Sequence, residues 1–361
     1  RLMQTLINII VFILILGIVV LVHELGHFVT AKLFGVYCSE FSIGMGPKLF
    51  SKKIGETEYE IRALPIGGFV SMAGEADNDI EEFKDVPYER TIKGISCWKK
   101  CVVFLAGVFM NFILSLVILI GVYSFINVQT NTPEIGTVSK DSPAMMAGLE
   151  AGDVISKITY DGEENIIASF SDIQEILDNS NIKSESEQIN LKVEVVRDGK
   201  VLTKDVNAKF NADSNSYMMG ITAATRQLSF FEAVNYGWDQ FVEMSLLIFT
   251  TLGKLITDSA NTIGQLSGPA GIYSVTSQIT ETGSISQLLI LLALLSTNIG
   301  MFNLLPIPGL DGCQTLFAVV EKIIGRDIPI KLKYLLQVAG LVLVFGLMIY
   351  VTINDISRMF G

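Results

Sequence analysis

Two histidines occur in the whole chain of 361 residues, and they fall four apart in the run His23-Glu24-Leu25-Gly26-His27. On a helix, positions i and i+4 share a face, so both imidazoles can meet one metal ion. Glu24 points about 100° round the helix from His23, within reach of a water at that ion. Such a trio performs metal-assisted hydrolysis, the ion acting as a Lewis acid while the carboxylate takes a proton from the attacking water. Catalytic zinc takes three protein ligands and keeps one position open. With no third histidine, the remaining ligand is a carboxylate or a thiolate. The run Asn303-Leu304-Leu305-Pro306-Ile307-Pro308-Gly309-Leu310-Asp311-Gly312 offers Asp311, and Cys313 stands two residues from it. Asp311 is the preferred ligand, because a carboxylate completes two-histidine sets in hydrolytic zinc sites. Cys313 is its competitor. Cys97 and Cys101, four apart with no histidine nearby, read as packing residues.

The elements that must position this set lie in a membrane. Half of the chain is hydrophobic and only 17% is charged, against about 25% in an ordinary soluble domain. Residues 2–22 are nearly all apolar, long enough for a bilayer core of about 30 Å. They run straight into His23 without a cleavage site, so they read as a span and not as a signal peptide. Residues 102–126, 288–305 and 335–353 are the other expected spans. Residues 238–257 carry Asp239, Glu243 and Lys254 around an uncharged stretch at 244–253, too short to cross, which predicts an amphipathic interfacial helix. Pro306 and Pro308 end the third span, and irregular backbone at that depth is tolerated where it lines a cavity. From Leu2 to His23 is about 31 Å of helix, which places the metal near the inner membrane face. Four spans deliver Asp311 to the same depth; a fifth would deliver it to the opposite face.

Lysines and arginines orient the spans. Lys48, Lys52, Lys53, Lys93, Lys99 and Lys100 mark the first loop as cytoplasmic, and Lys322, Arg326, Lys331 and Lys333 the third. The long acidic segment 127–287 and both termini are then expected outside. A net charge of −11 excludes a nucleic-acid binder working through a basic surface.

Between the first two spans, residues 36–100 read as a β-rich region on the cytoplasmic membrane surface. Strands are predicted at 48–53 and 57–64 around Ile54-Gly55-Glu56, with Pro65-Ile66-Gly67-Gly68-Phe69-Val70 breaking the regular pattern. Residues 133–225 read as a small α/β module: a strand at 135–138, a helix opened by Ser142-Pro143-Ala144 and stopped at Gly148, a helix at 170–177, and a hairpin across Asp198-Gly199. Its pattern Ser-Pro-Ala-x-x-Ala-Gly-Leu-x-x-Gly-Asp-Val-Ile resembles the bacterial PDZ domain.

Taken together, the chain resembles the site-two protease family of intramembrane zinc metalloproteases, in the bacterial branch of sigma-factor-regulating proteases with a single PDZ domain. The resemblance rests on His-Glu-x-x-His, residues 65–70, Trp98 with Ala106-Gly107 and Asn111, the PDZ-like pattern, Gly268-Pro269-Ala270-Gly271-Ile272, and the run 303–312. It implies His23, His27 and Asp311 as Zn2+ ligands and Glu24 as the base. It further implies Asn303 as a polar group beside the substrate carbonyl, and the hairpin 57–72 as an edge that holds substrate extended. Gly67, Gly68, Phe69, Pro306 and Pro308 are the substrate contacts expected with it. Cys313-Gln314 stand where members often have Gly-Arg, and Val108 where proline is frequent; neither touches the metal set.

The expected architecture is an α-helical polytopic membrane protein with four transmembrane helices, a membrane-associated β-hairpin region and an inserted α/β PDZ domain. Its segments are 1–35 with the first span, 36–100, 101–127 with the second span, 128–228 as the extracytoplasmic PDZ domain, 229–284 as amphipathic helix and linker, and 285–361 with the last two spans. The resemblance implies a bacterial inner-membrane protease with its active site near the cytoplasmic face. Its substrates would be single-pass transmembrane regulators already clipped on the outer side, an anti-sigma factor for example, and the outward module would act as a size filter. The rival reading is a catalytically silent PDZ adaptor. A transporter fits less well, with four spans and no inverted repeat of broken helices.

Overall fold

The computed structural model describes residues 2–75, 83–183, 188–211, 216–258 and 266–360. In chain order its elements are α1 (Leu2–Leu33), β1 (Cys38–Ile54), β2 (Thr57–Met72), α2 (Cys97–Phe125), β3 (Asn127–Gln129), β4 (Ile135–Val138), α3 (Pro143–Met146), β5 (Val154–Tyr160), β6 (Glu163–Ile166), α4 (Phe170–Lys183), β7 (Gln188–Arg197), β8 (Lys200–Asn211), β9 (Ser216–Met218), β10 (Ile221–Ala223) and β11 (Thr225–Gln227). They continue with α5 (Phe230–Thr257), α6 (Pro269–Thr282), α7 (Ile285–Leu304), α8 (Asp311–Ile324) and α9 (Ile330–Phe360). The chain forms two compact units, one of residues 1–122 with 232–361 and one of residues 123–231.

In the larger unit, α1, α2, α7 and α9 are long and apolar enough to cross a membrane. The amphipathic α5 is not among them. Helix α1 does not stop at His23 but continues to Leu33, so the two histidines sit on unbroken helix. Two further helices, α6 and α8, were not expected from the sequence. The linker residues 259–265 lie outside the described residues.

Close backbone approach and a few polar bonds join the spans, as expected where lipid supplies no hydrophobic drive between helices. Gly26 lets α1 lie on the backbone of α2 at Ala106, where a Cβ would strike the Ala106 carbonyl. The Ser296 hydroxyl on α7 donates to the Asn111 carbonyl on α2 at 2.8 Å, and Ser115 and Thr297 hydroxyls meet at 2.7 Å one turn away. Helix α6 has no side-chain cap of its own. Asp355 on α9 caps it instead, accepting from the Gly268 and Gly271 amides at 2.8 and 2.9 Å.

Strand β2 corrects the sequence expectation. It does not end at Leu64 but runs through Pro65 to Met72, because a second set of partners waits for it. Glu40, Phe41, Ser42 and Ile43 of β1 each lie opposite two β2 residues: Glu58 and Ser71, Tyr59 and Val70, Glu60 and Phe69, Ile61 and Gly68. The start of β1 therefore lies between the two halves of β2, and the hairpin curls over itself. Gly44 and Gly46, at φ of 88° and 86°, form the bend.

The smaller unit builds a five-stranded sheet in the order β6-β5-β7-β8-β9 over a core that includes Ile155, Ile158, Leu191, Val193 and Val206. The β7–β8 turn is Asp198-Gly199, with φ of 51° and 75°, the positive pair that a two-residue hairpin requires. Ser142 caps α3 through the Met145 amide, and Gly148 and Gly152 take positive φ in the turns that follow. Asp153, 1% exposed, pins this turn region to β7. It accepts from Arg197 Nε at 2.6 Å, from an Arg197 terminal nitrogen at 2.7 Å and from the Glu150 amide at 2.9 Å.

The Arg197 guanidinium holds the Asp153 carboxyl below its ordinary value, so Asp153 contributes stability at neutral pH that is lost as pH falls through its native value. Asp153→Asn is expected to cost about 2 kcal/mol at pH 7. Thermal unfolding of the purified chain should show a constant deficit down to about pH 5 that narrows below about pH 4.

Candidate active site

Helix α1 carries His23 and His27 on one face, and both are buried. Their Nε2 atoms stand 3.2 Å apart. Asp311, the first residue of α8, brings Oδ2 to 3.0 Å from His23 Nε2 and 3.4 Å from His27 Nε2. It reaches them because α7 stops at Leu304, the chain turns through Pro306 and Pro308, and α8 starts directly after the extended Leu310. Gly340 on α9 braces that turn, lying so close to the Pro308 carbonyl that a side chain there would overlap it.

The three ligand atoms lie 3.0 to 3.4 Å from one another, close enough to share one cation. Asp311 Oδ2 is buried yet receives no properly directed hydrogen bond, which is costly for a carboxylate unless an ion takes the place of the donor. Two imidazoles and one carboxylate are a donor set that suits Zn2+. Cys313 is buried but does not join the convergent group. Glu40, Glu58 and Glu60 also cluster, but there Lys48 and Arg62 supply the countercharge.

Helix α2 forms the wall behind the histidines. His27 Nδ1 lies 2.8 Å from the Val103 carbonyl, and His23 Nδ1 lies 3.3 Å from the Asn111 amide. Gly107 makes the approach feasible: a Cβ there would overlap His27 Nε2 and come within 2.7 Å of His23 Cε1. Neither Val103 nor Gly107 was assigned a role from sequence. A glycine and an asparagine four apart in an apolar span were the available signal, since polar groups in such a span mark function.

The β2 strand borders the site at Gly68. A Cβ at Gly68 would fall 3.2 Å from Glu24 Cγ and 2.8 Å from the Ser42 carbonyl, so only glycine lets the strand backbone lie against Glu24. Gly67 has φ of 86° and packs on Met45, and Phe69 stacks under the Arg62 guanidinium at 4.8 Å. Asn303 lies half-buried on the last turn of α7; among the described residues it makes no hydrogen bond to His23, His27 or Asp311.

A spanning helix bundle that buries a two-histidine, one-carboxylate cluster with a glutamate beside it defines a membrane metallohydrolase. The profile of peptidase family M50 matches residues 11–347. The chain is 36% identical to a putative zinc metalloprotease of Clostridium perfringens, over 93% of this chain and 95% of that protein. It is 33% identical to the regulator of sigma-W protease RasP of Bacillus subtilis, over 98% and 99% of the two chains. It is 31% identical to a putative zinc metalloprotease of Staphylococcus aureus, over 99% and 100%. The chain belongs to peptidase family M50, and it is a zinc-dependent protease of the membrane.

Gly107→Ala should abolish zinc binding by driving a methyl group into both rings, whereas Gly121→Ala on the same helix meets nothing within 4 Å and should bind normally. Metal analysis of the two purified variants checks this. Full zinc occupancy in Gly107→Ala would contradict the packing described.

Proposed function

We propose that the chain hydrolyses peptide bonds in the transmembrane segments of membrane-anchored regulatory proteins, with His23, His27 and Asp311 holding zinc and Glu24 as general base. The observation that carries this reading is the convergence of His23 Nε2, His27 Nε2 and Asp311 Oδ2 beside Glu24. Zinc, when bound, supplies Lewis acidity that activates water and polarises the scissile carbonyl. Glu24 takes the proton of the attacking water and returns it to the leaving amine. Asn303, on the helix that leads to Asp311, is the proposed donor to the developing oxyanion. A helical substrate hides its carbonyls in its own hydrogen bonds and must unwind to react. The Gly67-Gly68-Phe69 stretch of β2 would hold the opened segment by strand addition, with Pro306 and Pro308 as further substrate contacts.

The sigma-W regulator name borne by the Bacillus subtilis relative favours an anti-sigma factor or similar single-pass regulator, clipped beforehand on its outer side. We further propose a bacterial cell-membrane location with the termini and residues 128–228 outside and the active site near the cytoplasmic face. The module 128–228 is read as a PDZ domain that excludes bulky ectodomains. Its Ser142 cap, positive-φ Gly148 and Gly152, and buried Asp153 agree with the turn pattern of that domain. A catalytically silent adaptor would have no use for a buried ligand set with a carboxylate base beside it.

Glu24→Gln should retain zinc and lose at least about a hundredfold in cleavage of a transmembrane peptide. Cleavage near the wild-type rate would overturn the assignment of the base. For orientation, an impermeant thiol reagent outside intact cells should label a cysteine placed at Lys200 and spare one placed at Ser51; reversed labelling would invert the topology.

A further inference from the structure

The two histidines differ in how their outer ring nitrogens are held, and the difference singles out one residue. With both Nε2 atoms turned to Asp311, a metal bound there would take both Nε2 lone pairs, so that each Nδ1 would carry the ring proton and require an acceptor. His27 has a backbone acceptor at hand in the Val103 carbonyl. His23 has the side-chain amide of Asn111 at 3.3 Å, with Nδ2 toward the ring. That orientation sets a donor against a donor, and it leaves Asn111 Oδ1 buried with no partner. Exchanging the amide oxygen and nitrogen, which have nearly the same shape, removes the donor–donor conflict: Oδ1 then accepts from His23 Nδ1–H, and Nδ2 takes the unpartnered position.

Asn111 is fully buried in an apolar span, where an unsatisfied amide is costly. Its backbone carbonyl is also fixed, accepting from Ser296 on α7, and α7 leads into the turn that delivers Asp311. The side chain therefore stands on a backbone tied to both partners of the cluster.

We infer that Asn111 is a positioning residue that holds His23 in the Nδ1–H form, so that Nε2 presents its lone pair to the metal. The inference rests on the proposed metal-binding role of His23 and His27. Asn111 touches neither substrate nor metal; it acts through the His23 ring, as the Val103 carbonyl acts through His27. Groups in this position commonly tune metal affinity by about 10–100-fold. A carboxylate in its place would serve as acceptor equally well, whereas a methyl group would leave His23 free to adopt the wrong tautomer.

The test uses the full chain with 15N-labelled histidine, whose two rings give only four nitrogen signals. In the zinc-loaded wild type, both rings should show Nδ1–H and a zinc-shifted Nε2. Asn111→Ala should lower zinc affinity by about 10–100-fold and broaden or shift the His23 signals while those of His27 hold. Asn111→Asp should restore affinity and the His23 Nδ1–H signal. Ser115→Ala, which removes a neighbouring inter-helix bond without touching His23, should change neither. Wild-type affinity and unchanged His23 signals in Asn111→Ala overturn the inference, as does a folded Asn111→Asp that fails to restore them. If zinc shifts neither ring of the wild type, the metal-binding reading fails and takes this inference with it.

Discussion

Keeping two imidazoles and a carboxylate against one another inside an apolar helix bundle is the constraint on which the rest of this structure depends. Unpaired polar groups at that depth are expensive, and like the backbone they must find partners within the protein. Spacing of four on α1 aligns the histidines, but only a second helix can bring the acid. The chain solves this by ending α7 at Leu304 and restarting as α8 at Asp311, so that a helix break and not a helix face presents the third group. Gly26, Gly107 and Gly340 are then needed for the walls to close on the cluster.

The same constraint shapes the curled hairpin. A strand next to the site must approach Glu24 without a side chain in the way, which Gly68 permits. The start of β1, lying between the two halves of β2, carries that strand to α1. Burial of Phe28, Phe41, Val70 and Met72 in one core binds the hairpin to the helices, so the glutamate and the strand beside it are held by a single packed body.

How much of this was legible in the sequence depended on how local the cause was. His23, Glu24, His27 and the prolines before Asp311 act through spacing along the chain, and the structure brings the two histidines and Asp311 together. The Asp198-Gly199 turn and the four long apolar helices are local in the same sense. The continuation of β2 past Pro65 was not legible, because it depends on Cys38–Ile43 offering a second edge. Helix α6 was hidden for a similar reason: its N-terminal cap, Asp355, lies 87 residues away from Gly268. Asn111 was visible as an odd polar residue in an apolar run, but its contact with His23 belongs to the crossing of α1 and α2.

The central claim is the identity of the metal-holding set, and X-ray absorption at the zinc edge of the purified chain tests it most directly. The account predicts a first shell of nitrogen and oxygen only, at about 2.0–2.2 Å, with two imidazole scattering patterns from His23 and His27. A sulfur scatterer at about 2.3 Å would place Cys313 on the metal in place of Asp311 and contradict it.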